Sequence, residues 1–252
     1  MPEIITSDYL CLMCEWFETW FDSEYYHLLY KDRDYTEAEA FVEKLVDYLQ
    51  PNTDTFFHDL ACGKGRHSIH LNKLGLNVEG SDYSANSIQH AKHFENKRLH
   101  FYEHDMRNEM PRQYDCIVNL FTSFGYFDTD KEHLNTLRNC YRGLNDGGTF
   151  VFDFMNVSYV VEHLVPEETT QKEHISFEIR RRLINGMITK DISFEDKGKS
   201  YQFKEEVAAL TPDKLTHMMK DCGFQIQDTF GSYALEPFDL KTSKRLILIL
   251  RK

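Results

Sequence analysis

An α/β fold is predicted, a doubly wound and mostly parallel sheet of seven strands with an antiparallel β-meander inserted into it. Three observations carry that reading. Short apolar segments rich in β-branched and aromatic residues alternate with helical periodicity from Thr55 to Asn156. A glycine turn, Ala61-Cys62-Gly63-Lys64-Gly65-Arg66, joins the first of these strands to a helix. From His174 to Leu210 the helical signal disappears and strands follow one another directly.

The first strand is Thr55-Phe56-Phe57-His58-Asp59-Leu60, and Ser68, Ile69, Leu71 and Leu74 then recur at helical spacing. Between them the Gly-x-Gly turn allows dihedrals that a side chain resists and lets a ligand approach the backbone. The following helix offers free N–H groups at its start. A second strand pattern, Asn77 to Ser81, ends at Asp82, where a carboxylate can accept from both hydroxyls of a ribose. A third, Leu99 to His104, ends at Asp105, and a fourth, Cys116 to Leu120, follows Tyr114-Asp115. Polar residues at successive strand ends face one crevice in an open parallel sheet, and ligands bind there.

The fifth strand is Gly148 to Asn156. In the insertion, Ile175, Phe177 and Ile179 alternate along the segment from His174 to Ile184. Asn185-Gly186 is a two-residue hairpin signal, Met187 to Phe194 follows, and Asp196-Lys197-Gly198 turns into Tyr201 to Leu210. Three antiparallel strands are therefore expected, with Pro166 to Thr170 as a loose loop. Thr211 caps a helix that opens on Pro212 and runs to Cys222. Gly223 ends it, and Phe224 to Phe230 and Arg245 to Lys252 complete the sheet, the last as a buried strand.

These residues resemble the class I S-adenosylmethionine-dependent methyltransferases. The likeness rests on Asp59-Leu-Ala-Cys-Gly-Lys-Gly-Arg-His67, Val78-Glu-Gly-Ser-Asp-Tyr-Ser84, His104-Asp105-Met106 and Tyr114 to Phe127, and it covers Thr55 to Asn156 closely. It implies a Rossmann-like core with S-adenosyl-L-methionine as cofactor. Asp59, Ala61, Gly63 and Gly65 would surround the methionine part, Asp82 the ribose, and Tyr83, Asp105 and Met106 the adenine, while Asn119 and Leu120 flank the methionine and the sulfonium. Phe121-Thr-Ser-Phe-Gly-Tyr-Phe127 also looks like the small-molecule branch, which includes sugar-amine N-methyltransferases and carries an inserted β-meander. The implied organisation is an N-terminal helical lid over residues 1–50, a cofactor-binding core over 51–156 and 211–252, and a three-stranded β subdomain over 157–210.

The partner would be a small-molecule methyl acceptor. Ser123 and Asn119 are candidate polar contacts to it; Tyr26, Tyr30, Ser123 and Tyr126 are the catalytic candidates. A hydroxyl acceptor needs a base nearby, for which His104, Tyr126, Tyr30 and Glu205 are options, whereas an amine or carboxylate needs no strong base. Two other readings stay open: a nicotinamide-dependent oxidoreductase, whose third glycine would stand where this chain has Ser68, and a non-catalytic module that binds S-adenosylmethionine or a nucleoside.

Composition sets outer bounds. The 252 residues suit one large domain or a domain with an insertion, and no apolar run approaches the roughly 20 residues that span a bilayer. No secretion signal is visible, so the cytoplasm is the expected compartment. A net charge of −12 argues against long nucleic-acid partners, with Arg180-Arg181-Arg182 the one basic run. The six cysteines are expected to be reduced thiols, and Cys11 and Cys14 core residues. His67/His70 and His90/His93 lack carboxylates at matching spacing, so no metal is expected. Trp16, Phe17, Trp20, Phe21, Tyr25, Tyr26 and Tyr30 form an aromatic face with i, i+4 spacings on one helix, to be covered by the sheet or by a second copy in a homodimer. By resemblance Tyr26, Tyr30 and Arg33 would close the cofactor pocket.

Overall fold

A computed structural model of the chain describes residues 4–6, 16–31 and 35–252. In chain order the elements are β1 (Ile4–Thr6), α1 (Trp16–Phe21), α2 (Glu24–Leu29), α3 (Tyr35–Leu49), β2 (Phe56–Leu60), α4 (Arg66–Lys73), β3 (Asn77–Asp82), α5 (Ala85–Ala91), β4 (Leu99–Glu103), β5 (Tyr114–Asn119), α6 (Asp130–Arg142), β6 (Leu144–Met155), α7 (Val157–Glu162), β7 (Glu167–Lys172), β8 (Ile175–Ile184), β9 (Met187–Asp196), β10 (Lys199–Ala208), α8 (Pro212–Asp221), β11 (Gln225–Phe230) and β12 (Arg245–Arg251). They fall into two compact units, one of residues 34–160 and 210–252, the other drawn from residues 1–33 and 161–209.

The larger unit holds the seven-stranded sheet, ordered β11-β12-β6-β5-β2-β3-β4. Strands β2 to β6 pair in parallel, while β12 runs antiparallel to both β6 and β11. Strand order reverses between β2 and β5, so a crevice opens at their carboxyl ends, the place where open α/β sheets bind ligands. On one face Phe57, Val78, Leu99, Phe101, Cys116 and Val118 pack against Phe41, Val42 and Leu45 of α3 and Leu71 of α4. The other face of β2 and β3 carries a polar chain instead. There His58 meets the Ser81 hydroxyl at 2.9 Å, Tyr102 bridges His58 and Tyr114, and Tyr114 donates to Glu79 at 2.7 Å. Burial lowers the His58 pKa to about 3, so this imidazole stays neutral.

Helix starts follow the expected chemistry. Thr211 caps α8 ahead of Pro212, Ser84 caps α5, and Thr129 with Glu132 forms a capping box on α6. Helix α3 belongs to this unit, so the division at residue 50 gives way to one near residue 34. Its Ala38, Phe41, Val42 and Leu45 make one apolar stripe that the sheet unit buries.

The smaller unit is a five-stranded sheet ordered β1-β10-β9-β8-β7, antiparallel except for β1. The Asn185-Gly186 turn has φ of 50° and 78°, both left-handed, as a tight hairpin of the primed type requires. Two expectations are corrected. The meander has four strands rather than three, because Glu167–Lys172 pairs along β8 where a loose loop was expected. Its sequence, Glu-Glu-Thr-Thr-Gln-Lys, has no apolar alternation to betray it, and a charged edge strand of this kind resists pairing with another chain. The aromatic run forms two short helices rather than one, since Ser23 caps α2 and breaks the path after Phe21. Trp20, Tyr25 and Leu29 are then buried against Phe177, Ile179, Ile192 and Phe194.

Each residue of the arginine run has a carboxylate: Arg180 with Glu167, Arg181 with Glu168, and Arg182 with Asp191. Cys62, Cys116, Cys140 and Cys222 are buried free thiols; Cys11 and Cys14 lie outside the described residues. Among the described residues no group of three His, Cys, Asp or Glu side chains could hold a metal, and no helix is long and apolar enough to cross a membrane.

Candidate active site

The two glycines of the turn serve different ends. At Gly65, φ is +83° and an added Cβ would stand 2.7 Å from the Phe101 ring, so packing of β4 beneath the turn demands the missing side chain. At Gly63, φ is +55° and an added Cβ would point into open space, which leaves its face of the backbone free for a ligand. Ala61, with φ of 62°, adopts the same left-handed region at a cost of about 1 kcal/mol. Hydrogen bonds hold it there, from Cys62 N to Ser81 O at 2.9 Å and from Gly65 N to Cys62 O at 3.0 Å.

Gly65 cannot cap α4 with a side chain, and Asp59 takes over that role. Only 1% exposed at the end of β2, its carboxylate accepts from the Ser68 hydroxyl at 2.5 Å and from the Ser68 N–H in the first turn of α4. Burial pushes the Asp59 carboxyl up to about 6; the Ser68 bonds pull it down and the charge of Asp82 adds to the rise.

Asp82 is fixed by two backbone donors, Gly63 N–H to Oδ2 at 2.7 Å and Ser84 N–H to Oδ1 at 2.9 Å. Tyr83, 44% exposed, follows it. Asp105 is clamped by Arg107, whose Nε lies 3.1 and 2.9 Å from its two oxygens. Burial raises its pKa, but those bonds and the guanidinium charge outweigh burial and hold it below the ordinary carboxylate value. Asn139 of α6 donates to the carbonyls of Arg107 and Asn108 at 2.8 and 3.0 Å and thereby shapes the strand end around Met106. Burial lowers the His104 pKa, although the charge of Asp105 opposes the shift.

Asn119, 1% exposed at the end of β5, donates to Leu60 O at 2.9 Å and Ser123 O at 3.2 Å. Its Oδ1 is buried with no partner among the described residues. After buried Leu120 come two consecutive left-handed residues, Phe121 at φ 59° and Thr122 at φ 62°. Asp153, fully buried, accepts from Phe121 N–H on Oδ2 at 2.7 Å, and its backbone carbonyl accepts from Thr122 N–H at 3.1 Å. Arg245 donates through Nε to Asp153 at 2.8 Å and through Nη2 to the Thr122 hydroxyl at 2.9 Å. Ser123 and Tyr126, two catalytic candidates, donate their hydroxyl hydrogens to Leu120 O at 2.8 Å and Thr122 O at 2.7 Å.

The structure thus brings Asp59, Ala61, Gly63, Gly65, Asp82, Tyr83, Asp105, Met106, Asn119, Leu120, Ser123 and Tyr126 to the carboxyl ends of adjacent strands in one unit. Tyr26, Tyr30 and Glu205 belong to the other unit, where Glu205 accepts from Trp20 Nε1 at 2.7 Å and from the Tyr30 hydroxyl at 2.6 Å, with Lys190 beside both. Arg33 lies outside the described residues. Sequence reasoning missed Asp153, Arg245 and Asn139. The motif-adjacent acid in Phe150-Val-Phe-Asp153-Phe was a visible signal, an acid in an otherwise apolar strand.

Residues 57–148 match the methyltransferase domain family. Glycine/sarcosine N-methyltransferase of Halorhodospira halochloris is 26% identical over 216 residues, 79% of this chain and 74% of that protein. A dTDP-3-amino-3,4,6-trideoxy-alpha-D-glucopyranose N,N-dimethyltransferase of Streptomyces venezuelae is 28% identical over 135 residues, 52% of this chain and 56% of that one. The crystal structure of an S-adenosylmethionine-dependent methyltransferase from Clostridium acetobutylicum superposes with a TM-score of 0.76 at 20% identity, covering 90% of this chain and 95% of its own. The fold and the domain match together define a methyltransferase enzyme. More particularly, the activity is S-adenosylmethionine-dependent methyl transfer, and the relatives named above are enzymes for glycine or sarcosine and for an aminosugar. The residues fit that cofactor: the open side of Gly63, the Asp82 carboxylate at the tip of β3 and the Asn119 Oδ1, which has no partner among the described residues, offer a nucleoside and an amino acid what they need.

Proposed function

We propose that the chain methylates the nitrogen of a small primary or secondary amine. One observation carries the choice of nitrogen: on the strained loop after β5 the Ser123 hydroxyl hydrogen is already donated to a backbone carbonyl, so what Ser123 would offer an acceptor is an oxygen lone pair. Such an oxygen orients an N–H group and is not a strong base, as suits an amine that brings its own lone pair. The names of relatives support the same reading, since the two described above are both N-methyltransferases.

In this mechanism S-adenosyl-L-methionine supplies an electrophilic methyl group on a sulfonium. Asp82 would accept from the ribose hydroxyls, and the Asn119 Oδ1 from the ammonium of the methionine part, with Asp59 contributing a buried negative charge beneath the turn. Tyr83, Asp105 and Met106 would bound the adenine. Leu120 and the apolar strand ends keep water from the reacting centre, and the loop from Leu120 to Tyr126 holds the amine in line, where positioning supplies most of the rate. The net charge of −12 favours small cationic amines over nucleic acids as partners, with the cytoplasm as the compartment and a homodimer as the assembly.

The test is a transfer assay with methyl-labelled S-adenosylmethionine and a panel of amines, hydroxy compounds and carboxylic acids of similar size. Label on an amine nitrogen, with Ser123→Ala raising KM for that amine, supports the proposal. Label only on oxygen overturns it.

A further inference from the structure

The loop that follows β5 is built in a conformation its sequence does not favour. Neither Phe121 nor Thr122 is glycine, one is bulky and the other β-branched, and both have φ near 60°. Such residues persist only where the surroundings over-determine them, and several restraints meet here. Asp153 takes both N–H groups, one on its carboxylate and one on its carbonyl. Arg245, the first residue of β12, binds Asp153 through Nε at 2.8 Å and Nη2 at 2.7 Å and reaches on to the Thr122 hydroxyl. The Phe121 ring is stacked on Tyr233 at 4.8 Å and 22°, and Arg66 and His67 at the start of α4 lie 4.4 and 4.8 Å from its centroid. The ring therefore ties this loop to the helix that follows the glycine turn.

One consequence reaches the residue before the loop. Asn119 is oriented by donating to Ser123 O, which lies on the far side of the two left-handed residues. If Phe121 and Thr122 relaxed, Ser123 O would move and the orphaned Asn119 Oδ1 would lose its aim.

We propose that Asp153 and Arg245 are a positioning pair that holds Phe121 and Thr122 left-handed and so sets Asn119 and Leu120 for the methionine end of the cofactor. This rests on the reading of Asn119 and Leu120 given above. It assigns a role to the buried ion pair, and it places the effect at one end of the cofactor only. The nucleoside end is held by Asp82 on β3, which receives its own backbone donors.

Two probes separate the ends: S-adenosylhomocysteine carries the amino-acid portion, and 5′-methylthioadenosine lacks it. Calorimetric titration of the parent chain, Asp153→Asn and Thr122→Val with each probe is the experiment. Thr122→Val removes only the hydroxyl that Arg245 reaches and serves should Asp153→Asn fail to fold. Asp153→Asn is expected to weaken S-adenosylhomocysteine about tenfold and 5′-methylthioadenosine less than twofold, with Thr122→Val showing the same split at about threefold. In an Asp153→Asn, Thr122→Gly double variant, part of the lost affinity should return, because glycine adopts positive φ without strain. Equal weakening of both probes, or no weakening of either by both variants, overturns the positioning role. Failure of the parent to bind either probe would instead overturn the cofactor assignment itself.

Discussion

Replacing Asp59 with asparagine should make the unliganded protein more stable while weakening its hold on the cofactor. The carboxylate is 1% exposed, and burial lifts its pKa from 3.8 to about 6. A displacement of about two pH units, at 1.36 kcal/mol each, corresponds to about 3 kcal/mol. The sign follows from where the proton binds more tightly. Because the folded pKa lies above the unfolded one, the contribution to stability is fully present below pH 3.8 and is lost as pH rises through 6. At pH 7.5 the parent therefore carries the whole penalty of a buried charge, and Asp59→Asn removes it while keeping an acceptor for the Ser68 hydroxyl. The loss of a charged bond to the start of α4 offsets part of the gain, leaving about 1 to 2 kcal/mol, or roughly 3 to 6 °C in melting temperature for a chain of this size. Differential scanning fluorimetry of both proteins from pH 4 to 8 reads this directly: the curves should meet near pH 4, diverge up to about pH 6 and keep a constant separation above it. Affinity for S-adenosylmethionine should fall more than that for S-adenosylhomocysteine, since only the former carries a positive sulfonium. A variant less stable than the parent at pH 7.5 by the same margin at every pH would refute the reasoning.

Other substitutions test neighbouring parts of the structure. Gly65→Ala forces a Cβ to within 2.7 Å of the Phe101 ring at φ +83°, and chemical denaturation should show a loss of about 2 to 4 kcal/mol. Gly63→Ala meets no atom within 4 Å and should cost only about 1 kcal/mol of stability, yet lower S-adenosylhomocysteine affinity at least tenfold in a titration. Tyr114→Phe deprives buried Glu79 of a 2.7 Å hydrogen bond, which should reduce the urea midpoint by an amount worth about 1 to 3 kcal/mol with cofactor affinity unchanged.

How much of this was visible in the residues varies with the range of the interaction responsible. The glycine turn, Asp82 and the Asn185-Gly186 hairpin were legible because each is specified within a few neighbours, by φ at glycine or by the period of a strand. Asp59 was recognised as a site residue, but its role as the remote cap of α4 was not, since that requires knowing that Ser68 folds back over β2. The clamp on Phe121 and Thr122 was invisible for the same reason: Arg245 is 92 residues from Asp153, and nothing local marks either side chain as a partner. Positive φ at Phe121 and Thr122 runs against the preference of both residue types, so tertiary contacts override local propensity there. In the smaller unit, β7 escaped notice because its side chains are polar throughout and its ion pairs to Arg180 and Arg181 of β8 leave no periodic apolar signal. Ser23 was readable as a cap in principle, but the i, i+4 aromatic pattern on both sides of it suggested continuity.

The most direct test of the cofactor site is calorimetric titration of the parent and of Asp82→Ala with S-adenosylhomocysteine at pH 7.5. The carboxylate at the tip of β3 should accept both ribose hydroxyls while anchored by Gly63 and Ser84, and bonds to a charged acceptor contribute about 1.5 to 3 kcal/mol each. The parent should bind one equivalent, and Asp82→Ala should bind at least 30-fold more weakly, a difference of about 2 kcal/mol. Equal affinity in the two proteins would contradict the placement of the nucleoside at this strand end.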